Sequence, residues 1–460
     1  MQIKKILNDE TLIGTEITVC GWITTERDQK KLLFVALNDG SCFKSLQIVV
    51  KLTEELKTEH AELLARLTRG VSLRVTGNLI ESPAKGQKVE MSTTLNKFEV
   101  LGDVDVETYP MSKMKHPPEY LRQFPHLRVR TNTGGMVARV RNTCSKATHD
   151  FFQERGFMYV HTPILTSNDC EGAGETFGAV PTGVKDPKEF FGEDVNMTVS
   201  GQLHVETYAI GLTNVYTFGP TFRAERSNTS RHLAEFWMIE PEMCFIDFED
   251  LMNTAEAQIK YCVQAVLDNN VDDVEFINRM VSKGRRDMLE KLCKEPFKRL
   301  SYTEAIDVLM ADYIDDCGYK EVDRWGIDMN SEQEKYLVKK FGPVIVYNYP
   351  QKIKSFYMKV NEGTEGVDRV TVQAMDILVP DIGELIGGSM RENDPDRLES
   401  IMKEKGVDQD LDWYLDLRRY GGAEHGGWGL GFERLIMLIT GMKNVKDCIP
   451  YPRFFGKCQY

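Results

Sequence analysis

The sequence of 460 residues predicts an α+β protein, with a small β-barrel in front of a larger, strand-rich domain. The first hundred residues contain short runs in which apolar and polar residues alternate, as they do in half-buried strands. Residues 161–245 are also strand-rich, residues 250–340 have helical spacing, and strands return after residue 344. Strands and helices thus come in blocks, which favours an α+β fold over a parallel β–α–β fold.

The first block predicts five short strands and one helix. The runs TEITVCGWITTER and LLFVALNDGSCFKSLQIVV alternate, and the NDGS turn in the second run indicates a hairpin. The helical stretch EELKTEHAELLARLT precedes two more strand runs, VSLRVTGNLIES and VEMSTTLNKFEVLG. Five strands with one helix in about 100 residues are typical of a Greek-key barrel of the OB type. We assign residues 1–105 to this domain.

Aromatic residues lie near basic residues in the predicted barrel. Trp22, Phe34 and Phe43 are close in sequence to Arg27, Lys30 and Lys31. Rings beside cations are what single-stranded nucleic acid requires, but rings also fill barrel cores. We assign Trp22 and Phe43 to the core, whereas Phe34 stays open between the core and the binding surface.

The composition restricts the class of protein. The net charge is −13, which argues against indiscriminate binding to nucleic acid but leaves local contacts open. Ten cysteines include no C-x-x-C pair, and the N-terminus lacks a signal-peptide core. We therefore expect reduced thiols in a cytoplasmic protein. No run approaches the roughly 20 apolar residues of a membrane span, so we expect none.

Residues 106–133 contain four prolines and read as a connector between domains. A long helix follows, in which Met136, Val140, Cys144, Ala147 and Phe151 recur at helical spacing, and Gly156 ends it. We assign the larger domain to residues 134–460, with a helical insertion at about 250–340.

The stretch TFRAERSNTSRHLAEF, residues 221–236, lies between two strand runs and predicts a hairpin with a basic, polar loop. A fixed Arg223 suits an internal phosphate, because a guanidinium donates two parallel hydrogen bonds. Phe236 offers a flat ring to a base, and Arg231 and His232 on the loop can reach outer phosphates. The alternative interpretation is an exposed hairpin with solvated charges.

Two further stretches carry charged residues in apolar surroundings. In GLGFERL the glycines allow close approach of the backbone, and Arg434 begins a helix, whose N–H groups also favour an anion. In DILVPDIGELIGGSMRE, Asp376 and Glu384 lie on adjoining apolar strands, where a carboxylate needs a partner such as Mg²⁺ bound to phosphates. A helix-packing glycine pair and buried salt bridges are the structural alternatives.

These elements together resemble the class II aminoacyl-tRNA synthetases. FRAE…RHLAEF is similar to the second signature of that class, GLGFER to the third, and FFQERGF…VHTPIL to the first, a dimer-interface signature. Further stretches resemble the asparaginyl-tRNA synthetases of bacterial type, in the aspartyl, asparaginyl and lysyl subgroup: EGAGETF, TVSGQL, TFGPTFRAE, EFWMIEPE, IGELIGGS, DLRRYG and IPYPR. The resemblance extends over essentially the whole chain.

The resemblance implies an OB-fold anticodon-binding domain, and a class II catalytic domain in which helices flank an antiparallel sheet. It also implies attachment of asparagine to tRNA(Asn) through an adenylate, with ATP and Mg²⁺, in a homodimer. The implied catalytic residues are Arg223 and Arg434. The implied ATP contacts are Arg223, Glu225, Arg231, His232, Phe236, Glu384 and Arg434, and the implied metal ligands are Asp376 and Glu384. The implied asparagine contacts are Glu171, Gln202, Glu240 and Arg391, and the implied anticodon contacts are Arg27, Phe34 and Gln47.

The residue types favour asparagine over aspartate. Sister enzymes for aspartate carry a lysine at the position of Val205, whereas here Arg391 can donate to an amide oxygen and Glu240 can accept from the amide nitrogen. Arg226, Met390 and Glu424 depart from the usual pattern, and Glu424 is expected near the site. Two alternatives are an aspartate-using or non-discriminating synthetase of the same fold and a non-catalytic RNA-binding relative.

Overall fold

The structure of the chain is a computed structural model that describes residues 1–111, 116–168, 175–186, 188–313, 325–364, 368–407 and 411–460. It divides into two compact units, Met1–Arg139 and Val140–Tyr460. The segment 106–133 falls within the first unit, and its assignment as a connector stays a prediction. None of the helices in the described part of the chain is long and apolar enough to span a membrane.

A closed barrel forms the centre of the first unit. Its strands are β1 (Glu16–Asp28), β2 (Leu32–Asn38), β3 (Leu46–Lys51), β4 (Ser72–Glu81), β5 (Val89–Thr93) and β6 (Phe98–Gly102). The order is β1-β2-β3-β5-β4-β6, and β1 also pairs with β4, so five strands close on themselves while β6 attaches to β4. The predicted OB-type barrel is therefore confirmed.

The barrel core consists of the side chains that alternate inward along these strands. Val19, Ile23, Val35 and Leu37 are almost completely buried. The core assignment of Trp22 is wrong, because Trp22 is 44% exposed on the opposite face of β1 from Ile23. Phe43 lies half-buried in the turn between β2 and β3, outside the barrel core. Alternation along a strand does not by itself tell which of its two faces is inward, and the structure shows that Trp22 lies on the outer face.

An eight-stranded sheet forms the centre of the second unit. Its strands are β7 (Met158–Tyr159), β11 (Asn214–Phe222), β12 (Glu235–Cys244), β13 (Lys298–Ser301), β14 (Val344–Pro350), β15 (Thr371–Val379), β16 (Gly383–Met390) and β17 (His425–Gly431). The order is β13-β14-β15-β16-β17-β12-β11-β7. The six inner strands are antiparallel, but both edge strands pair in parallel, so the sheet is mixed where the sequence predicted an antiparallel one. A small separate sheet contains β8 (Leu165–Thr166), β9 (Phe177–Gly178) and β10 (Asn196–Met197).

Helices pack around both units. In the first unit they are Ile3–Asn8, Glu54–Glu59, Ala61–Arg66, Pro118–Leu121 and Pro125–Arg128, and Asn132–Gln153 begins there and continues into the second. In the second unit they include Lys188–Phe191, Gln202–Leu212, Phe248–Asn269, Val271–Phe276, Arg285–Lys294, Tyr302–Val308, Ser331–Phe341, Pro395–Lys405, Asp412–Arg419 and Phe432–Thr440. Two π-helical turns, Ile277–Val281 and Leu309–Tyr313, continue the helices before them.

The region 250–340, predicted as helical, contains one strand. β13 pairs in parallel with β14 at the edge of the sheet, and its Ser301 then caps the helix Tyr302–Val308 in a capping box with Glu304. A four-residue edge strand is too short for a periodic pattern, which is why the sequence does not indicate it.

Glycines let the central strands approach one another closely. A Cβ on Gly388 of β16 would lie 2.6 Å from Trp428 Cβ and 2.8 Å from the Gly427 carbonyl oxygen on β17. A Cβ on Gly427 would overlap the Glu242 carboxylate and the Pro241 carbonyl on β12. The absence of a side chain at these two positions therefore allows β16, β17 and β12 to lie close together in the sheet.

We predict that Gly388→Ala destabilises the second unit, because the new methyl group meets a backbone carbonyl and the first side-chain carbon of a buried tryptophan. Overpacking of this kind costs about 1–3 kcal/mol. The matched control is Gly219→Ala on β11, where a Cβ would have no neighbour within 4 Å. Thermal unfolding should show a clearly lower midpoint for Gly388→Ala alone, and equal midpoints would contradict this account of the packing.

Candidate functional site

An open cleft of about 720 Å³ in the second unit gathers charged residues from three parts of the sequence. The hairpin β11–β12, strand β16 and the start of the helix Phe432–Thr440 each contribute to its lining. All seven residues that the sequence predicts as nucleotide contacts line it: Arg223, Glu225, Arg231, His232, Phe236, Glu384 and Arg434.

The hairpin places Arg223 over an aromatic ring. Thr221 pairs with Phe236 in the ladder, and Arg223 N–H donates to the Ala234 carbonyl at 3.0 Å, so the strands remain joined just beyond Phe236. The Arg223 guanidinium carbon then lies 5.4 Å from the centre of the Phe236 ring. A fixed cation beside a flat ring matches a phosphate next to an aromatic base.

The hairpin loop is held by its own polar side chains. His232 Nδ1 lies 2.9 Å from Ser227 Oγ and 2.8 Å from Thr229 Oγ1, and His232 Nε2 lies 3.6 Å from Glu225 Oε2. The small hydroxyl residues therefore orient the histidine toward Glu225. Arg226, which departs from the family pattern, is exposed and does not line the cleft.

Carboxylates from two neighbouring strands lie next to the same glycine. Asp376 on β15 pairs with Gly387 on β16. A Cβ on Gly387 would lie 3.3 Å from Glu384 Oε1 and 3.4 Å from Asp376 Oδ1, so both carboxylates flank one space that the glycine leaves open.

The two acids lie close to each other and close to several cations. Burial raises the pKa of Asp376, the Lys354 ammonium at 2.7 Å offsets part of that rise, and the charge of Glu384 adds to it. Burial also acts on Glu384, but the positive charges of Arg434, Lys354 and Arg231 outweigh it and lower its pKa. Paired carboxylates that flank open space are nevertheless suitable ligands for Mg²⁺.

Glu334 is a third acid at this place, and the sequence did not indicate it. Its Oε2 accepts from the Glu384 backbone N–H at 3.1 Å and lies 3.5 Å from Arg231 Nη2. Burial and the charge of Glu384 raise the pKa of Glu334 to about 7. In the sequence Glu334 follows a helix cap at Asn330 and looks like an ordinary first-turn acid.

A second group of charged residues is completely buried, on β12 and at the end of β16. Arg391 Nε and Nη2 donate to the two carboxylate oxygens of Glu242, both at 2.9 Å, Nη1 donates to Ser389 Oγ at 2.9 Å, and Nη2 donates to Gln202 Oε1 at 2.6 Å. Glu242 was not predicted as a contact, although it shares a strand face with Phe236 and Glu240.

Glu240 lies beside this group but has other partners. Its carboxylate accepts from the Ser200 hydroxyl and, at 2.9 Å, from the Gly201 backbone N–H. The structure thus brings Gln202, Glu240 and Arg391 together, whereas the predicted contact Glu171 lies outside the described residues.

The structure also places the two other residues that depart from the family pattern. Met390 is buried beside Arg391. Glu424 has a half-exposed side chain that pairs with Lys359 at 2.6 Å, and its place near the site stays a prediction. Its charge is therefore already neutralised at the surface.

The barrel carries its three predicted contacts on one outer face. Arg27 on β1 pairs with Phe34 on β2, and Gln47 on β3 pairs with Ala36, two residues along from Phe34. Phe34 alternates with the buried Leu33 and Val35, so its ring points away from the core. Gln47 Nε2 donates to the buried Glu90 at 3.1 Å, which fixes the direction of its amide.

Comparisons with known proteins agree with this architecture. The family model of class II tRNA synthetases (D, K and N) matches residues 117–454, and the model of the OB-fold nucleic acid binding domain matches residues 17–101. The chain belongs to the class II tRNA synthetases of this D, K and N group, and within it the similarity is to the asparagine–tRNA ligases. The asparagine–tRNA ligases of Treponema denticola and Colwellia psychrerythraea are 49% and 48% identical to it, each over 98% of both chains.

Solved structures give the same relationship. The asparaginyl-tRNA synthetase of Pyrococcus horikoshii complexed with asparaginyl-adenylate is 30% identical and superposes with a TM-score of 0.85, covering 100% of this chain and 99% of that one. The asparaginyl-tRNA synthetase of Entamoeba histolytica in complex with asparaginyl-adenylate is 28% identical, with a TM-score of 0.82 and coverage of 98% and 97%.

We predict that Glu334→Gln stabilises the ligand-free protein by an amount that depends on pH. The unfolded carboxyl loses its proton near its ordinary value of 4.5, whereas the folded one keeps it to about pH 7, so wild-type stability falls across that interval and is constant above it. The glutamine removes this loss. Its advantage should therefore be small near pH 5 and reach about 1–3 kcal/mol above pH 7.

Thermal unfolding at both pH values measures this difference. The control is Glu332→Gln, an exposed residue on the same helix, which should give the same difference at both. A Glu334→Gln advantage that does not grow with pH would contradict the assigned environment.

Proposed function

We propose that the protein attaches asparagine to tRNA(Asn) in two steps, through an asparaginyl-adenylate. The observation that carries the proposal is the proximity of two subsites on β12: Phe236 and the cationic cleft at one end, and the buried Glu242–Arg391 pair at the other. One suits a nucleotide, and the other offers a hydrogen-bond acceptor beside a donor. The similarity to asparagine–tRNA ligases supports the same conclusion.

In the first step an asparagine carboxylate oxygen attacks the α-phosphorus of ATP. A new C–O–P bond forms, the bond to the β-phosphate oxygen breaks, and pyrophosphate leaves with the electron pair. Such a step needs positioning and charge neutralisation more than a general base. We assign the α-phosphate to Arg223, the base to Phe236 with Arg434 on its other face, and the outer phosphates to Arg231, His232 and Glu225.

Asp376 and Glu384 would hold Mg²⁺, which neutralises charge on the phosphates when bound. Glu334 positions both Glu384 and Arg231 through the contacts described above. In the second step a terminal ribose hydroxyl of the tRNA attacks the asparaginyl carbonyl, and AMP leaves.

The amino-acid subsite is suited to recognise the side-chain amide of asparagine. Arg391 offers hydrogen-bond donors to the amide oxygen, and the carboxylate of Glu242 beside it accepts from the amide nitrogen. We therefore add Glu242 to Gln202, Glu240 and Arg391, and we keep Glu171 on the resemblance alone. An aspartate-using enzyme is not favoured by the relatives, and a non-catalytic relative is not favoured because the cleft retains its charged residues.

The barrel binds the anticodon in this proposal. Phe34 stacks on a base, Gln47 reads a base edge and Arg27 contacts the backbone, which is how aromatic and basic residues recognise unpaired RNA. The half-exposed, outward Phe34 ring supports this role over a core role.

We also assign the protein to the cytoplasm.

We propose a homodimer, but on a different argument from the sequence-based one. The resemblance placed an interface at the long helix and the segment after it, but the apolar residues of the helix Asn132–Gln153 are buried inside their own chain, including Met136, Val140 and Phe151. The support comes instead from the edge strand β7 and the segment after it, where Met158, Ile164 and Leu165 are each more than 40% exposed. An apolar, unpaired sheet edge favours association.

We predict that Arg223→Ala lowers asparagine-dependent ATP–pyrophosphate exchange by about 10²-fold or more, because an electrostatic clamp on the reacting phosphate is lost. Arg226→Ala on the same loop is the matched control and should keep near-normal exchange, since Arg226 is exposed and does not line the cleft. Near-normal exchange in a folded Arg223→Ala protein would contradict the assignment of Arg223 to the α-phosphate.

We predict that Phe34→Ala weakens tRNA binding by about 1–3 kcal/mol while pyrophosphate exchange without tRNA is unchanged. Aminoacylation should slow through a higher KM for tRNA. The neighbouring inward residue provides the contrast, because Leu33→Ala should instead lower barrel stability by about 2–5 kcal/mol. Unaltered charging kinetics in a folded Phe34→Ala protein would contradict the anticodon role.

Light scattering at micromolar protein should give twice the 52.6 kDa chain mass. We predict that Met158→Lys shifts the mass toward the single chain, since it places a charge on the edge strand. Met280→Lys, at an equally exposed position in the π-helical turn Ile277–Val281, should leave the mass unchanged. A wild-type mass of one chain would refute the dimer.

A further inference from the structure

Glu206 is a fully buried carboxylate on the helix Gln202–Leu212, and the catalytic scheme above does not use it. Its Oε1 accepts from Arg418 Nη2 at 2.6 Å and lies 2.8 Å from His425 Nε2. Its Oε2 accepts from the Tyr414 hydroxyl at 2.7 Å and from Gln202 Nε2 at 3.2 Å. Four donors around one carboxylate hold it in its ionised form. Burial works against that form, but Arg418 and His425 keep the pKa of Glu206 well below its usual range.

Glu206 decides which way the Gln202 amide points. The amide nitrogen donates to both Glu206 Oε2 and, at 3.1 Å, Glu242 Oε2, so the amide oxygen is left facing Arg391 Nη2. The two carboxylates therefore act through Gln202 on the guanidinium that we assign to the substrate amide. Without the Glu206 carboxylate, one of the two charged acceptors that fix this orientation would be lost.

A metal site is the competing interpretation of this cluster. Ligand atoms of Glu206, Glu242 and His425 lie within 4.8 Å of one another. However, Arg418 and Arg391 already occupy the carboxylates at 2.6–2.9 Å, and two guanidinium groups at that distance repel a cation. We therefore treat the cluster as an ion network.

The hydrogen bonds of His425 give its charge. Nδ1 lies 2.6 Å from the Ala423 carbonyl oxygen, and Nε2 lies 2.8 Å from the Glu206 carboxylate. Both partners only accept, so both ring nitrogens donate and the ring is cationic. Three cations, Arg391, Arg418 and His425, thus stand against three carboxylates, Glu206, Glu240 and Glu242. Asparagine adds no net charge to this balanced group, whereas aspartate adds one negative charge in a buried, weakly screened place.

We propose that Glu206 is a specificity-determining residue, which excludes aspartate by balancing the buried cations and by holding Gln202 against Arg391. This rests on the proposed function, because it concerns the amino acid that the site selects. Glu206 acts through Gln202 and the local charge, and it does not touch the substrate. Val205, the neighbour whose position carries a lysine in aspartate enzymes, packs in an apolar cluster with Val160, Ala209 and Val215.

The test is Glu206→Gln in the full-length protein, with kcat/KM for pyrophosphate exchange measured separately with asparagine and with aspartate. The variant leaves one cation unbalanced, so the ratio of asparagine to aspartate should fall by about tenfold or more, and aspartate should become a stronger competitive inhibitor of exchange with asparagine. Tyr414→Phe is the matched control. It removes a hydrogen bond to the same carboxylate without changing charge, and its ratio should stay within about twofold of wild type.

The outcomes separate the two levels of the account. Wild-type protein that does not activate asparagine overturns the proposed function itself. A folded Glu206→Gln protein with a wild-type ratio, or a Tyr414→Phe protein with an equal fall, overturns the role of the Glu206 charge. Should Glu206→Gln fail to fold, His425→Gln supplies the opposite sign: it removes a cation, so the ratio should rise, and a ratio that is unchanged or lower overturns the proposal.

Discussion

The buried ion pair between Arg391 and Glu242 constrains the rest of this site. Two charges removed from water are costly unless every hydrogen-bonding position is satisfied, and breaking such a pair by removing one partner is strongly destabilising. Arg391 comes close to that condition, because four of its five N–H groups donate to Glu242, Ser389 and Gln202. The remaining N–H, on Nη1, is the donor that a substrate amide can use. The Gln202 amide is held in turn by Glu206, so hydrogen bonds within the protein itself set the geometry of the pocket.

The sheet is built to allow this pair. Gly427 lacks the side chain that would overlap the Glu242 carboxylate, and Gly388 lets β16 approach β17 so that Ser389 and Arg391 reach the same place. The same strands carry Glu384 and lead into Arg434, whose guanidinium donates to the Glu384 carbonyl oxygen at 3.0 Å. The nucleotide cleft and the amino-acid pocket are consequently positioned by one set of close strand contacts.

Sequence reasoning reached the parts of this arrangement that are local. Arg223 and Phe236 belong to one hairpin, and the resemblance to family signatures identified Arg434, Glu384 and Arg391. Glu334 was missed because it lies on a helix distant in sequence and resembles an ordinary first-turn acid. Glu206 had a signal, since it lies one helical turn after the predicted contact Gln202, but only the structure shows that it meets Arg418 and His425. Glu242 had a signal, since it shares a strand face with Glu240, but only the structure shows which of the two pairs with Arg391. Trp22 was misassigned because alternation along a strand does not by itself tell which of its two faces is inward. The parallel edges of the sheet depend on pairings that no local pattern records.

A crystal structure of the protein with a non-hydrolysable asparaginyl-adenylate analogue tests directly whether the Arg391–Glu242 pair forms the amino-acid pocket. We expect the side-chain amide oxygen of the analogue within hydrogen-bond distance of the Arg391 guanidinium and its amide nitrogen facing Glu242. The Arg391–Glu242 pair and Gln202 should be unchanged. An analogue whose side chain lies away from Arg391, or a pocket in which the Arg391–Glu242 pair has broken to admit it, would contradict the account.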